Sequence, residues 1–320
     1  QPLFDLMANE SVLKVFHAGR QDIEILYNLA GAVPHPIFDT QLAAMVCGFG
    51  DSVGYETLVS KLLRQNLDKA SRFTDWARRP LTDRQLSYAL DDVIYLQDIY
   101  LKLQEQMEKS GRAHWLDEEM ETLASPATYD MPPENAWKRL KVRNNNPRFL
   151  GILQEVAAWR ENEARTRDMP RNRILRDEAL LEIAAHPPKK PDDLSRMRSI
   201  SQGFSSSRAG KLLFEAVARG LALPENVLPQ VDKPKSLPRG IAPLVDLLKV
   251  LLKMKCEEHD VAQKLIGNVA DLEKVAAFDD ADVPIMRGWR KEVFGNDAMR
   301  LKNGEIAIAA NGNKIKLVEL

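Results

Sequence analysis

The feature that most constrains this 320-residue chain is the segment from Leu81 to Met107, which predicts one long amphipathic helix. Thr82, followed by Gln85 three residues later, is typical of a capping box and marks the helix start. Tyr88 and Asp92 are four residues apart, so the phenol and the carboxylate share one face. The apolar positions that give the helical period are Leu86, Ala89, Leu90, Val93, Ile94, Leu96 and Leu101.

This tyrosine–aspartate pair has two interpretations. A carboxylate can hold a hard cation, and a hydroxyl one turn away can hold a water, as metal-assisted phosphoester hydrolysis requires. A pair on a solvated helix face explains the same spacing without any chemistry. The choice between them therefore depends on what the rest of the chain supplies.

A second carboxylate lies upstream, in the segment Val12–Ala30. This segment begins as a short strand, breaks at Gly19 and continues as a helix from about Gln21. Asp22 falls in the first turn of that helix, just past the end of a strand, where open α/β sheets bind their ligands. A single aspartate at a helix start is also typical of a cap or of a partner for the helix dipole.

The amino-acid sequence of these stretches favours the interpretation as a metal-assisted catalytic site. The phrase FHAGRQDIEIL, followed by LDKASRFTDWARRPLTDRQLSYALDDVIYL, resembles the ribonuclease D branch of the DEDD 3′→5′ exonucleases. In that resemblance Asp22 matches the aspartate of the second motif. Tyr88-x-x-x-Asp92 matches the third motif of the tyrosine-bearing subfamily. The resemblance spans nearly the whole chain and is strongest over Val12–Leu101.

The resemblance implies a catalytic site with two divalent metal ions, Mg²⁺ or Mn²⁺. Asp92 would ligate the first ion and Asp22 the second, while Tyr88 would orient the water or the scissile phosphate. The family's first motif, Asp-x-Glu, precedes the second motif and is not present before Asp22. We therefore expect the intact protein to carry this motif on further strands upstream of Gln1, and this chain alone to be incomplete for catalysis.

Proline-rich stretches divide the chain into three segments. SPATYDMPP, residues 125–133, and five prolines between Leu223 and Pro243 mark linkers. PRNRILRDEALLEIA, residues 170–184, resembles the signature of the helicase-and-RNase-D C-terminal (HRDC) domain. We predict an α/β ribonuclease H-like exonuclease domain over 1–125, N-terminally incomplete, followed by two small all-α HRDC-type bundles over 134–222 and 241–320. GEIAIAANGNKIKLVEL at the end predicts a β-hairpin around Asn311 and Gly312.

Charge is distributed unevenly although the formal net charge is only −1. Residues 1–130 carry 12 Lys/Arg against 20 Asp/Glu, and residues 131–220 carry 18 against 11. An acidic portion suited to cations and a basic one suited to phosphates indicate a nucleic-acid substrate. The candidate RNA contacts are Lys69 and Arg72 in the loop before the long helix, and Arg171 and Arg173 before a later helix. An exposed loop explains the first two equally, and pairing of Arg173 with Asp177 or Glu178 is the alternative for the second two.

The functional prediction is a 3′→5′ exoribonuclease that trims structured RNA, with tRNA precursors bearing 3′ extensions as the substrate that the resemblance implies. An RNA-binding protein without catalysis is the alternative, and DNA proofreading is disfavoured because no polymerase segment is present. Two cysteines, Cys47 and Cys256, are too few for a disulfide framework and suit a reducing cytoplasm. We also expect a monomer, and no membrane span, because Asp246 and Lys249 interrupt the most apolar helix.

Overall fold

The structure, a computed structural model, describes residues 1–67, 73–201, 203–230 and 236–320. Contacts divide the chain into two compact units. The first unit comprises Gln1–Tyr129 together with Ser236–Leu320, and the second comprises Asp130–Lys235. The three-part division drawn from the sequence stays a prediction. In the structure, the segments that it assigns to the nuclease and to the last bundle pack within one unit.

Helices dominate both units. The helices and strands of the first unit are α1 Pro2–Ala8, β1 Lys14–Phe16, α2 Arg20–Ala30, β2 Ile37–Asp39, α3 Thr40–Val46, α4 Tyr55–Leu58, α5 Asp83–Ile94, α6 Leu96–Ser110, α7 Asp117–Ala124, α13 Ala242–Glu258, α14 Gln263–Ile266, α15 Val269–Ala277, α16 Gly288–Arg290, α17 Asn296–Lys302, β3 Ile306–Asn311 and β4 Lys314–Glu319. Those of the second unit are α8 Pro147–Thr166, α9 Arg171–Ile174, α10 Asp177–Ala185, α11 Pro191–Leu194 and α12 Arg208–Ala222. Across the described ranges, no helix has both the length and the apolar character needed to cross a bilayer.

The α/β part of the first unit is a parallel β1–α2–β2 arrangement. Val15 of β1 pairs with Phe38 of β2, and the two strands run in the same direction. Helix α2 makes the crossover between them, and α3 begins directly after β2, capped by the Asp39 side chain. The sequence predicted the strand and the helix within Val12–Ala30, which are β1 and α2.

The predicted single helix over Leu81–Met107 is wrong in one respect, because the structure divides it at Tyr95 into α5 and α6. The capping box at its start is confirmed, with Thr82 and Gln85 bonded reciprocally. The buried stripe of α6 consists of Ile99, Leu103 and Met107, at intervals of four residues. The apolar side chains expected to face a core on α5 are instead exposed. They are Leu86, Leu90, Val93 and Ile94.

One hydrophobic core joins the two chain segments of the first unit. Side chains from α3, from α6 and from the 3₁₀ turn Ala113–Trp115 pack with side chains from α13, α15 and α17. At its edge the indole rings of Trp115 and Trp289 stack, with centroids 4.3 Å apart and planes only 6° from parallel. The buried guanidinium of Arg290 forms ion pairs with Glu118 and Glu119 of α7. The last 85 residues are therefore integrated into the packing of the α/β part.

The second unit is a helical bundle centred on α8. Asn146 caps α8, accepting hydrogen bonds from the N–H groups of Arg148 and Phe149. Helix α12 crosses α8 so closely that a Cβ at Gly220 would lie 2.6 Å from the Cα of Ile152. Any larger residue at that position would force the helices apart. Helix α10 begins at Asp177, within the stretch 170–184 that resembles the HRDC signature.

The C-terminal hairpin is confirmed. β3 and β4 pair antiparallel, with Asn311 opposite Lys314, so the loop residues are Gly312 and Asn313. Gly312 has a φ of +63°, which supplies the left-handed first position of a tight two-residue turn. Before the hairpin, residues 284–295 form three short helical segments of different pitch. They are a 3₁₀ turn at Pro284–Met286, α16, and a π-helical turn at Lys291–Gly295.

Candidate active site

The turn between β1 and α2 is held by a buried carboxylate from the neighbouring strand. Asp39, only 2% exposed, accepts hydrogen bonds from the backbone N–H of Gly19 at 2.7 Å and of Ala18 at 3.1 Å. The turn is tight, since a Cβ at Gly19 would lie 2.5 Å from the Cβ of Phe16. Helix α2 therefore begins at a fixed position, and Asp22 stands in its first turn with the side chain exposed.

A histidine lies beside this turn. The Thr40 hydroxyl donates to the carbonyl oxygen of Phe16 at 3.0 Å, so its single proton is committed there. His17 Nδ1, 3.0 Å from the same hydroxyl oxygen, must therefore carry the proton and donate. Burial lowers the pKa of His17, while the nearby charge of Asp39 opposes this. The ring is thus kept neutral and acts as a packing and hydrogen-bonding element.

The start of α5 is fixed to the preceding loop. Gln85 is 6% exposed, and its Nε2 donates to the Thr74 hydroxyl and to the carbonyl oxygen of Asp75, each at 3.1 Å. One turn later the ring of Tyr88 lies 5.7 Å from that of Trp76. These contacts set the rotation of α5 about its axis, and so they set the direction in which Tyr88 and Asp92 project.

The end of α5 is tied to the β1–α2 turn through a half-buried tyrosine, Tyr55. The Tyr55 hydroxyl donates to the backbone carbonyl of Asp91 at 3.0 Å, and its ring lies 5.6 Å from the His17 ring. Burial, reinforced by the charge of Asp92, raises the pKa of Tyr55 to about 12, so this hydroxyl remains a donor. A chain of contacts therefore links the β1–α2 turn to the end of α5.

This end of α5 is electrostatically suited to a cation. Burial raises the pKa of Asp92, and the charge of Asp91 next to it raises it further. A bound divalent ion would relieve both effects, because carboxylate oxygens are the ligands that hard cations prefer. Asp92 thus has the chemistry of one ligand in a metal-binding set. Among the described residues, however, no three His, Cys, Asp or Glu side chains are grouped to hold a metal ion.

The structure brings Tyr88 and Asp92 onto one helix and places Asp22 on another. Their assignment as catalytic and metal-binding residues stays a prediction. Sequence reasoning missed two residues that position them. Asp39 accepts a hydrogen bond from the backbone N–H of Gly19, and Tyr55 donates to a backbone carbonyl on a distant helix, so neither bond leaves a spacing pattern in the sequence.

The predicted RNA contacts have different surroundings. Lys69 and Arg72 lie outside the described residues. In the second unit, Arg171 Nη2 lies 3.7 Å from a carboxylate oxygen of Glu161. Arg173 is exposed and forms no ion pair within the described part of the chain. The alternative pairing of Arg173 with Asp177 is not found.

The carboxylate of Asp177 is held instead by Arg160, whose Nη1 lies 2.7 Å from it. Arg160 itself is almost completely buried. The guanidinium of Arg173 is therefore left available, although its contact with RNA stays a prediction.

Comparison with known proteins places this geometry in a family. Residues 1–108 match the family described as 3′-5′ exonuclease, and residues 149–217 match the HRDC domain. Ribonuclease D of Nitrobacter hamburgensis is 52% identical over 319 residues, covering 100% of this chain and 83% of that protein. The chain belongs to the ribonuclease D family. Ribonuclease D of Jannaschia is 49% identical over 320 residues, again covering 100% of this chain and 83% of the relative.

A solved ribonuclease D has the same fold. The crystal structure of Escherichia coli RNase D, described as an exoribonuclease involved in structured RNA processing, superposes with a TM-score of 0.77 at 29% identity. The match covers 95% of this chain and 82% of that one. The predicted fold, a ribonuclease H-like exonuclease domain with an HRDC bundle, is confirmed, as is the prediction of a ribonuclease D-type 3′→5′ exoribonuclease. Exonucleases of this family generally use divalent metal ions.

Proposed function

We propose that this ribonuclease D trims the 3′ ends of structured RNA, with tRNA precursors bearing 3′ extensions as its substrates, by hydrolysis at a site with two metal ions. The observation that carries the proposal is the placement of Tyr88 and Asp92 on one face of α5. Tyr55, which lies beside His17 of the β1–α2 turn, bonds to the end of this helix. A reacting phosphate there would meet carboxylates from two elements.

Each residue has a separate role in this proposal. Asp92 and Asp22 would hold the ions, Mg²⁺ or Mn²⁺, which when bound supply an activated water and charge stabilisation for the leaving oxygen. Tyr88, held against Trp76, would orient the scissile phosphate through its hydroxyl. Tyr55 would keep the end of α5 at its distance from the β1–α2 turn.

The exposed side of α5 supports a further part of the proposal. Four of its apolar side chains, from Leu86 to Ile94, are 47–58% exposed. A contiguous apolar face of this kind is typical of a surface that another element covers. We propose that strands carrying the family's Asp-x-Glu motif pack on this face in the intact protein and complete the set of metal ligands begun by Asp22 and Asp92.

RNA would be guided to this site by the basic second unit. Arg171 and Arg173 are its proposed contacts there, and Lys69 and Arg72 are the proposed contacts near α5. The excess of positive charge over residues 131–220 favours phosphate binding at this unit.

Substitution of one carboxylate tests the proposal. In the intact protein with Mg²⁺ or Mn²⁺, Asp92→Asn is expected to abolish single-turnover cleavage of a 3′-extended tRNA precursor, because a neutral amide is a much poorer ligand for a hard cation. RNA affinity should change little. The matched control is Asp98→Asn, which removes an exposed carboxylate from the first turn of α6 and should cleave at the wild-type rate. Wild-type cleavage by Asp92→Asn would refute the metal-site assignment.

An intact wild-type protein that binds the precursor but never shortens it, with either metal, would refute tRNA precursors as the substrate.

A further inference from the structure

The second unit contains an open cavity of about 390 Å³ that the proposed active site does not use. One wall is formed by α9 and the start of α10, and the opposite wall by the loop that precedes α12. Three arginines and one carboxylate line it: Arg173, Arg176 and Glu178 on the first wall, and Arg198 on the second. Ser201 and Phe204 complete the second wall.

These three arginines have no carboxylate partner within the described part of the chain. Each is exposed, and none forms an ion pair or a side-chain hydrogen bond to any residue that the structure describes. Two other arginines of the same unit are paired. Arg196 lies 4.0 Å from Asp193, and Arg219 lies 2.9 Å from Glu155. The cavity therefore holds three cations against the single carboxylate of Glu178 and keeps an excess of positive charge.

The first wall is held in place by a buried arginine. Arg160 Nη1 donates to the carbonyl oxygen of Leu175 at 2.9 Å and to the carboxylate of Asp177 at 2.7 Å. These bonds fix the connection between α9 and α10, and with it the backbone spacing of Arg173 and Arg176.

The second wall is held in a similar way. The Ser199 hydroxyl donates to the Glu182 carboxylate of α10, which ties the loop next to Arg198 to the same helix. Phe204 is half-buried, and its ring packs edge-on to that of Trp159, with centroids 6.3 Å apart. The arginine side chains thus project from an ordered frame, which lowers the entropy lost when they bind a ligand.

We propose that this cavity binds backbone phosphates of the RNA strand. Guanidinium groups match phosphate with paired N–H donors, and three of them around one depression suit consecutive phosphates better than a single small anion. The proposal rests on the proposed function for the nature of the ligand. It adds Arg176 and Arg198 to the proposed RNA contacts and makes Arg173 part of a built site.

Two double variants of the 320-residue chain test this proposal. Arg176→Ala with Arg198→Ala removes two cavity cations. Arg196→Ala with Arg219→Ala removes the same charge from paired arginines of the same unit and is the matched control. Binding of a single-stranded oligoribonucleotide would be measured by fluorescence anisotropy at several salt concentrations, so that cleavage is not the readout.

The expected effect follows from counterion release. Each lost phosphate contact lowers the salt slope by roughly 0.7 on a single strand, which corresponds to about fivefold in affinity at 0.1 M salt relative to 1 M. The cavity variant should therefore lose about 1.4 from the slope and about 25-fold in affinity, and the control should lose less than half as much in slope. If a thermal melt shows that the cavity variant is unfolded, Ser201→Glu, which adds a carboxylate to the cavity, should lower the slope in its place.

Three results would overturn the proposal. One is an unchanged slope in the folded cavity variant, and another is an equal loss in the control, which would indicate general attraction between charges. The third is a loss of inorganic phosphate binding, measured by calorimetry, with an unchanged RNA slope. None of these results bears on Asp92→Asn, so failure of this site is distinguishable from failure of the nuclease assignment.

Discussion

Replacement of Arg290 by alanine should destabilise the whole first unit. The Arg290 side chain is 4% exposed, and its Nε donates to the carbonyl oxygen of Leu265 at 2.6 Å. Its two terminal nitrogens pair with Glu118 and Glu119, the second at 2.6 Å. The guanidinium therefore joins α14 and α7, although α7 ends at Ala124 and α14 begins only at Gln263.

The size of the effect can be worked from these contacts. Breaking a fully buried ion pair costs about 3–5 kcal/mol, because the remaining charge stays buried. Here Glu118 is 55% exposed and Glu119 is 29% exposed, so water can replace part of what they lose. The carbonyl of Leu265 also loses a charged hydrogen bond, worth about 1.5–3 kcal/mol. We therefore expect Arg290→Ala to lower the free energy of unfolding by about 2–4 kcal/mol.

Scanning calorimetry at neutral pH would measure this effect. For a domain of about 200 residues each kcal/mol shifts Tm by roughly 2–4 °C, so the transition of the first unit should fall by about 4–16 °C. The matched control is Arg287→Ala, since Arg287 pairs with Asp282 on the surface, where such pairs contribute about 0–1 kcal/mol. Equal Tm values for the two variants would refute the reasoning. So would a separate early transition of residues 236–320, because it would show that this segment is not integrated with the α/β part.

Three further changes test other parts of the structure. Tyr55→Phe removes the donor to the Asp91 carbonyl and should lower kcat more than it raises KM in steady-state cleavage assays of the intact protein; unchanged kinetics would exclude the positioning role. Gly19→Ala brings a Cβ to 2.5 Å from the last residue of β1 and should cost about 1–3 kcal/mol in a urea titration; a wild-type midpoint would contradict the tight turn. Burial raises the pKa of the Cys47 thiol to about 11 and that of Cys256 to about 12. Both thiols should therefore resist iodoacetamide at pH 8 until urea unfolds the chain, as followed by mass spectrometry. Rapid labelling of the folded protein would show that the thiols are more accessible than this burial implies.

Local signals in the sequence predicted local structure well. The capping box at Thr82 and the hairpin at Gly312 were found because the bonds that form them lie within a few residues. The shared face of Tyr88 and Asp92 follows from helical geometry alone once α5 exists. The break at Tyr95 was missed because the apolar pattern continues through it. The break is visible only in the structure, where Ile99, Leu103 and Met107 of α6 pack into a core to which α13 also contributes.

The positioning of the candidate site could not be predicted in the same way. Asp39 holds the β1–α2 turn from 20 residues away, and Tyr55 holds α5 from 36 residues away. A side chain that bonds to a distant backbone group leaves no spacing pattern in a sequence. The family resemblance supplied the identities of Asp22 and Asp92. It did not supply the contacts that orient them.

The contact of Arg290 with α7 has a consequence for synthesis of the protein on the ribosome. Arg290 lies 172 residues after Glu118, so the first unit cannot complete its packing until the entire second unit has been made. At about 5–20 residues per second this delay is roughly 10–35 s. The second unit is continuous in sequence and can fold during that interval. The ring face of Trp115 stays uncovered until Trp289, on which it stacks, has been synthesised. The nascent chain therefore exposes an apolar surface for a defined period, and during that time it is a substrate for chaperones that bind such surfaces.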